Sequence, residues 1–237
     1  MMSVSICLRK YLCQGFVILF VIVFSPLWII SQNSSQWEQD IMAFESEDRA
    51  QGYPERSILF IGSSSIRLWS TLAEDMAPYK TIKRGFGGSS LPDVIFYADR
   101  ILERHMPCAV VLFVANDITG SSGDKSPQEV AKDYAQLIHI IRKRCPSVPV
   151  FVVAITPTGS RWKVWPQIQR ANEEISEMVK QFTGVAFIPT EKYFLKENGQ
   201  PDEKLFIGDQ LHLSASGYAV WTSVIRPYLD KAMQACP

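Results

Sequence analysis

The chain reads Ser57-Ile-Leu-Phe-Ile-Gly-Ser-Ser-Ser-Ile-Arg-Leu-Trp69 where four apolar residues run into a glycine and three consecutive serines. A short apolar run bounded by glycine is typical of a buried β-strand. Beyond the serines, apolar side chains recur at helical spacing, at Ile66, Trp69, Leu72, Ala73 and Met76. The hydroxyl groups therefore lie where a strand becomes a helix. Unpaired backbone N–H groups at such a position suit a nucleophile or a group that carries negative charge.

Strand-like and helical patterns alternate along the rest of the chain. The strand-like runs lie at 58–61, near 81–83, and at 109–114, 150–155 and 185–188. The helical patterns between and after them lie at 91–105, from Ser126-Pro127 to Cys145, at 166–182 and at 215–233. Such alternation predicts a parallel sheet that is covered by helices on both faces. We therefore expect an α/β fold, a three-layer α/β/α sandwich with about five parallel strands.

Composition narrows the class of protein. A chain of 237 residues with 47% hydrophobic content is long enough for one core, and it contains no internal repeat that would suggest otherwise. The formal net charge is zero and the charges are interspersed, so the basic surface of a nucleic-acid-binding protein is absent from the sequence. We expect no nucleic-acid partner.

The N-terminus differs from the rest of the chain. Arg9 and Lys10 precede an apolar stretch, residues 11–30, whose core has the roughly 7–15 residues of a signal peptide and whose full length approaches the ~20 needed to span a bilayer. Residues 1–31 are therefore predicted to be a signal peptide or an N-terminal membrane anchor, and residues 32–55 a linker and lead-in to one domain, 56–237. The protein is expected to be exported, either periplasmic or extracellular, or tethered to the membrane through residues 11–30 and facing outside.

The predicted domain contains three cysteines, Cys108, Cys145 and Cys236, so they cannot all pair within the chain. Cys108 begins one apolar strand and Cys145 shortly precedes the next. If those strands are neighbours, the two thiols are candidates for a disulfide. The alternative is that both are small buried side chains.

A nucleophilic serine needs a base, and the chain has three histidines. His139 lies opposite the apolar stripe of its helix, and His105 lies at a helix C-terminus, where a structural role is expected. His212 follows Asp209 by three residues, so one turn brings the carboxylate and the imidazole to the same side. Asp209 would then hold the ring tautomer while the other nitrogen faces a serine. Taken alone, the pair also fits an ordinary surface turn.

Two residues after predicted strands suit an oxyanion hole. The backbone N–H of Gly88 is approachable because no side chain covers it, and the Asn116 amide donates without carrying charge. Each also has a simpler interpretation, since glycines and Asn-Asp pairs commonly turn the chain.

The order Ser, Gly, Asn and Asp-x-x-His resembles the SGNH family of serine esterases, also called the GDSL family, over residues 57–228. The family's first block normally reads Gly-Asp-Ser, and here it is Gly62-Ser63-Ser64. Ser64 is thus the counterpart of the nucleophile, and Ser63 stands where aspartate is usual.

The other blocks match with one further departure. Gly85-Phe-Gly-Gly88 ends on the family's oxyanion glycine, Val114-Ala-Asn-Asp117 keeps the asparagine but lacks the block's glycine, and Asp209-Gln-Leu-His212 is intact. The departures lie beside the reacting atoms, so we expect activity. The resemblance implies that residues 56–237 form an SGNH hydrolase domain with a flavodoxin-like sheet of order 2-1-3-4-5. It implies an acyl-enzyme on Ser64, with no cofactor or metal.

Substrate choice is expected to depend on the loop after the fourth strand, which contains Arg161, Trp162 and Trp165. These side chains are candidates for a pocket wall that stacks on a sugar or covers an acyl chain, or else the rings fold onto the next helix. We expect a small-molecule or glycan or lipid ester as substrate, with small-acyl esters such as acetyl esters of exported carbohydrate first. The alternatives are hydrolysis of lysophospholipids or other lipid esters, and a catalytically silent binding module at the envelope.

Overall fold

A parallel five-stranded sheet lies at the centre of the computed structural model, which describes residues 34–52 and 54–236. The strands are β1 Ser57–Gly62, β2 Lys80–Gly85, β3 Ala109–Phe113, β4 Val150–Val153 and β5 Val185–Ile188. Their order is β2-β1-β3-β4-β5, which confirms the expected order 2-1-3-4-5. The predicted signal peptide or anchor, residues 1–31, lies outside the described residues. Within the described ranges, no helix combines the length and apolar character needed to cross a bilayer.

Seven α-helices are found among the described residues. They are α1 Glu38–Gln51, α2 Ser64–Arg67, α3 Leu72–Asp75, α4 Leu91–Leu102, α5 Pro127–Arg144, α6 Trp165–Val179 and α7 Ala215–Gln234. Short 3₁₀ helices lie at Ser34–Trp37, Trp162–Val164, Glu191–Phe194 and Glu203–Leu205. The start of α5 shows why the pattern was readable, because Ser126 and Glu129 form a capping box around Pro127 in the first turn.

Alternate side chains of the strands enter two separate cores. Leu59 and Ile61 of β1 lie in one buried cluster, which is completed by α1, α4, α5 and α6. Ile58 and Phe60 lie in a second cluster, which is completed by α2, α3 and α7. A sheet with a buried core on each face is the three-layer α/β/α sandwich that the sequence predicts.

The helix expected after the serines is broken in two. Four of the five apolar residues that predict it are buried and Ala73 is exposed, but α2 ends at Arg67 and α3 begins only at Leu72. Between them, the Trp69 indole N–H and the Thr71 hydroxyl both donate to Asp75 Oδ2 at 2.6 Å. Local side-chain hydrogen bonds of this kind compete with a continuous helix.

Residues 32–55, predicted to be a linker and lead-in, contain the helix α1. Only Ile41 of this helix is fully buried, so an apolar stripe was not visible in the sequence. Ion pairs hold the helix instead. Arg100 pairs with Glu38 at 2.8 Å and with Glu45 at 2.7 Å, and Asp48 pairs with Arg84. The partners of these carboxylates lie 36 to 62 positions further along the chain, which is why local sequence patterns do not predict the docking.

The cysteine pairing differs from the one considered in the sequence. Cys108 forms a disulfide with Cys236, 128 positions away, with a Cα–Cα distance of 5.5 Å. Cys145 is a buried free thiol. The Cys108–Cys145 pairing is therefore wrong, although β3 and β4 are neighbours. Cys108 lies in the core on one face of the sheet and Cys145 in the core on the other.

Candidate active site

The site forms where the carboxyl ends of β1, β2 and β3 meet. Gly62 pairs with Gly85 on one side and with Phe113 on the other, so the loops that follow these strands leave the sheet side by side. A Cβ added to Gly62 would lie 2.8 Å from Ile66 Cγ1 and would collide with the Phe113 carbonyl oxygen. Glycine is required here for α2 to fold back tightly over β3. This places Ser64 at the carboxyl end of the interior strand β1.

Ser64, His212 and Asp209 form a continuous hydrogen-bonded chain. The distance from Ser64 Oγ to His212 Nε2 is 2.9 Å, and that from His212 Nδ1 to Asp209 Oδ2 is 2.7 Å. The other carboxylate oxygen of Asp209 accepts the backbone N–H groups of Leu211 and His212, each at 2.9 Å. Gln210 adopts a φ of 53°, which closes the turn between Asp209 and His212. The structure thus brings together the three residues that the sequence proposed from distant positions.

The charge on Asp209 fixes the role of the imidazole. Burial acts to raise the pKa of Asp209, but hydrogen bonds from the His212 side chain and from the backbone N–H groups of His212 and Leu211 bring it to about 2. The carboxylate is therefore ionised at neutral pH and accepts the Nδ1–H of His212. This leaves the Nε2 lone pair directed at the Ser64 hydroxyl, as a general base requires.

Two backbone donors beside Ser64 are open. Within residues 34–52 and 54–236, neither the N–H of Ser64 nor that of Gly88 has a hydrogen-bond acceptor. Gly88 has a φ of +80°, and a Cβ built on it would meet nothing within 4 Å. Both residues line an open cavity of about 580 Å³ together with Asn116 and His212. Unpaired backbone donors on residues that line the space in front of a serine are what an oxyanion hole needs.

Asn116 is held in place by its neighbours. Its Nδ2 donates to the Ser89 carbonyl at 2.9 Å, and its Oδ1 accepts from Arg161 Nη2 at 2.7 Å. The next residue, Asp117, is buried and accepts the backbone N–H of Leu91 at 3.0 Å. Burial raises the pKa of Asp117, while the Leu91 N–H and the nearby Lys125 ammonium oppose the rise. The Asn116-Asp117 pair by itself indicates only a turn in the sequence, since the contact of Asp117 with α4 is long-range.

A second, much smaller cavity shares Ser64, Asn116 and His212 with the first. Its volume is about 20 Å³, and Ser64, Asn116, Arg161 and His212 all line it. The remaining lining residues were not predicted to line a substrate pocket, and they are Ser63, Ser65, Phe113, Ala115, Thr156, Thr158, Leu211 and Leu213. Thr156 and Thr158 lie in the loop after β4, which is expected to control substrate choice. Their position in this loop is the feature of the sequence that could have identified them as lining residues.

The predicted substrate-binding residues separate into two groups. Arg161 lines the small cavity. Trp162 and Trp165 line neither cavity beside Ser64 and stack on each other, with ring centroids 6.1 Å apart and an interplanar angle of 10°. Trp165 is buried in the core and Trp162 packs against it. The two rings therefore fold onto the next helix, which is the alternative that the sequence left open, and the predicted pocket wall does not form from them.

The two departures from the family blocks fit the local backbone. Ser63 is buried, its N–H donates to the Phe113 carbonyl at 3.1 Å, and its own carbonyl accepts the N–H groups of Ile66 and Arg67 at 3.1 Å. These contacts use main-chain atoms, so they do not depend on an aspartate at this position. Ala115, which replaces a glycine, supplies a carbonyl that accepts from Arg161.

The other two histidines have separate environments. His105 is buried, with its Nε2 3.0 Å from Asp48 Oδ2, and burial lowers its pKa. His139 is exposed and contacts the Phe182 ring edge to face. In the described part of the chain, no three His, Cys, Asp or Glu side chains are grouped so that they could hold a metal ion.

The sequence matches a known family whose reaction fits this arrangement of residues. The sequence model of the GDSL-like lipase/acylhydrolase family matches residues 51–220. The chain belongs to this family. As a GDSL-like acylhydrolase it is a hydrolase that acts on ester bonds, which confirms the family and the reaction class predicted from the sequence. A comparison with curated proteins found no match.

Solved structures show the same fold. A GDSL-like lipase from Bacteroides thetaiotaomicron is 18% identical with a TM-score of 0.66, over 81% of this chain and 98% of that one. A carbohydrate esterase of family 3 from Talaromyces cellulolyticus is 16% identical with a TM-score of 0.59, over 76% and 99%. A lipase/acylhydrolase from Enterococcus faecalis is 16% identical with a TM-score of 0.53, over 73% and 95%.

Proposed function

We propose that this GDSL-like hydrolase removes small acyl groups, acetyl above all, from a carbohydrate. The observation that carries the proposal is the cavity of about 20 Å³ beside Ser64. One water-sized group needs about 10–15 Å³ of such volume. The cavity therefore has room for the methyl group of an acetyl ester, and each further methylene of a longer chain would have to displace its walls.

The reaction follows from the arrangement of donors and base. His212 takes the proton of Ser64 as its oxygen attacks the ester carbonyl, and the tetrahedral oxyanion accepts hydrogen bonds from Ser64 N–H, Gly88 N–H and the Asn116 amide. Each such donor is worth about 3 kcal/mol in the transition state. His212 then gives its proton to the leaving alcohol, and a water activated by the same residue releases the acid from Ser64.

The alcohol part of the ester is assigned to the larger cavity of about 580 Å³, which opens in front of the same serine. It is also lined by the polar residues Gln36, Asp40 and Arg67, together with Trp37. Among the described residues, neither Asp40 nor Arg67 has an ion-pair partner. A carboxylate and a guanidinium without ion-pair partners, with an amide beside them, suit an alcohol that carries several hydroxyl groups.

A lipid ester fits this geometry less well, because a long acyl chain needs an extended apolar groove next to the nucleophile. A carbohydrate esterase is among the proteins that share the fold, so this fold is compatible with carbohydrate esters as substrates. The basic and apolar N-terminal segment supports export, so the proposed carbohydrate lies outside the cytoplasm.

The test is acetate release from a mixed panel of natural esters. Purified protein is incubated with acetylated oligosaccharides and, separately, with lysophospholipid, and the released acid is quantified for wild type and Ser64→Ala. We expect acetate from the oligosaccharides, loss of this activity in Ser64→Ala, and little fatty acid. Faster release of long-chain fatty acid than of acetate would refute the carbohydrate proposal and favour a lipid esterase.

A further inference from the structure

The side-chain amide of Asn116 uses its carbonyl and one of its two N–H groups in hydrogen bonds to other residues. An asparagine side chain offers two N–H donors and one carbonyl acceptor. One donor is occupied by the Ser89 carbonyl at 2.9 Å, and the carbonyl is occupied by Arg161 Nη2 at 2.7 Å. The second N–H remains for the substrate. Since the amide is planar, fixing two of its three positions also fixes the direction of the third.

Arg161 is suited to set this orientation. Its guanidinium can only donate, so contact with Asn116 is favourable only when the oxygen of the amide faces it. Nη1 donates to the carbonyl of Ala115, the residue before Asn116, so the same planar group holds both the side chain and the backbone of the loop. A flipped amide would place Asn116 Nδ2 against the guanidinium and its carbonyl towards the oxyanion.

Arg161 also brings positive charge to the site. Burial lowers its pKa, whereas Asp124 and Asp117 act in the opposite direction, and the group stays protonated at neutral pH. No carboxylate forms an ion pair with it among residues 34–52 and 54–236. The charge is thus not neutralised by a direct partner, and it polarises the amide that would donate to the oxyanion.

We propose that Arg161 is a positioning residue that fixes the Asn116 amide as an oxyanion-hole donor, in place of the direct substrate contact expected from the sequence. The inference rests on the proposed acyl-enzyme mechanism. It assigns the effect of Arg161 to the transition state: loss of its donors lowers kcat, while binding of the ester in the ground state changes little.

The test is a double-mutant cycle with 4-nitrophenyl acetate as substrate. Arg161→Met keeps the length of the side chain but removes its donors and charge, and Arg161→Lys keeps the charge. Both are made alone and in an Asn116→Ala background, with Arg170→Met, an exposed cation on α6, as the matched control. We expect Arg161→Met to lower kcat roughly 10–100-fold with KM within about twofold, and Arg161→Lys to recover part of the loss. In the Asn116→Ala background the substitution should change kcat less than about threefold, because the group it orients is gone.

Two results would overturn the inference. A rise in KM at unchanged kcat would identify a direct substrate contact. An equal loss of kcat with and without Asn116 would show that Arg161 acts independently of the amide. If Arg161→Met does not fold, as judged by circular dichroism, the Lys variant in both backgrounds gives the same comparison. In 4-nitrophenyl acetate the alcohol part is a phenol and not a sugar. If the carbohydrate proposal fails, the protein is inactive on acetylated oligosaccharides but still hydrolyses this ester. That outcome is therefore distinct from failure of the proposed role of Arg161.

Discussion

Replacing Leu211 by alanine should lengthen the acyl chain that the enzyme accepts. Leu211 lines both the small and the larger cavity beside Ser64, and its backbone rather than its side chain contacts Asp209. Removing the isopropyl group therefore enlarges the cavity without deleting a hydrogen bond of the triad. Because the residue is only half-buried, we expect a stability cost of about 1 kcal/mol.

The magnitude follows from the cavity volume. At about 20 Å³ the wild-type cavity has room for the acetyl methyl group, so each additional methylene should cost about 1–2 kcal/mol, or roughly 5–30-fold in kcat/KM. The space left by the leucine side chain is enough for a propionyl or butyryl chain. The variant should therefore hydrolyse acetyl, propionyl and butyryl esters at similar rates, while its rate with the acetyl ester stays within a few-fold of the wild-type rate.

The assay is kcat/KM for 4-nitrophenyl acetate, propionate, butyrate and hexanoate. Leu195→Ala serves as the control, because Leu195 is also half-buried but lies outside both cavities. The control should keep the steep wild-type profile. Equal wild-type rates for acetate and butyrate, or an unchanged profile in Leu211→Ala, would refute the assignment of this cavity to the acyl group.

Three further predictions concern charge and covalent structure. Asp209→Asn should lower kcat by roughly 10²–10⁴, because an amide does not hold the His212 tautomer; steady-state kinetics at constant pH measure the loss, and a variant within threefold of wild type would exclude the proposed role. Asp124 has a pKa of about 2, since hydrogen bonds from the 119–121 turn outweigh the opposing effect of burial. Ionised Asp124 should contribute about 1 kcal/mol to the free energy of unfolding after solvent screening, fully above about pH 5 and progressively less as the pH falls towards 2. The difference in Tm between the wild type and Asp124→Asn should therefore shrink over that pH range, and a constant difference would contradict this. Reduction of Cys108–Cys236 should lower the free energy of unfolding by about 2–5 kcal/mol, measured by urea denaturation with and without reductant, and equal midpoints would contradict it.

The sequence predicted the sheet because local patterns carried the information. Every strand except β2, whose sequence is mostly polar, is a short apolar run, and the capping box at Ser126 marks the start of its helix within a few residues. The triad and the oxyanion residues were also within reach, since Ser64, His212 and Asn116 each follow a recognisable element or block. The structure then supplied the distances.

The features that the sequence did not predict depend on long-range contacts. Helix α1 looked like a linker because its carboxylates, rather than an apolar stripe, hold it to Arg84 and Arg100. The contact between Arg161 and Asn116 spans 45 positions and depends on side-chain direction, which periodicity does not give. The cysteine pairing was missed because sequence adjacency of two strands does not tell on which face of the sheet each thiol lies.

The most direct test of the central claim is covalent labelling of Ser64 by a fluorophosphonate probe, with the modified residue located by mass spectrometry. An activated serine reacts, whereas an unactivated serine of a silent binding module does not. The structure predicts one adduct on Ser64 in the wild type, its absence in Ser64→Ala, and strongly slowed labelling in His212→Ala. An unlabelled wild-type protein, or an adduct that persists in Ser64→Ala, would contradict the assignment of Ser64 as the nucleophile.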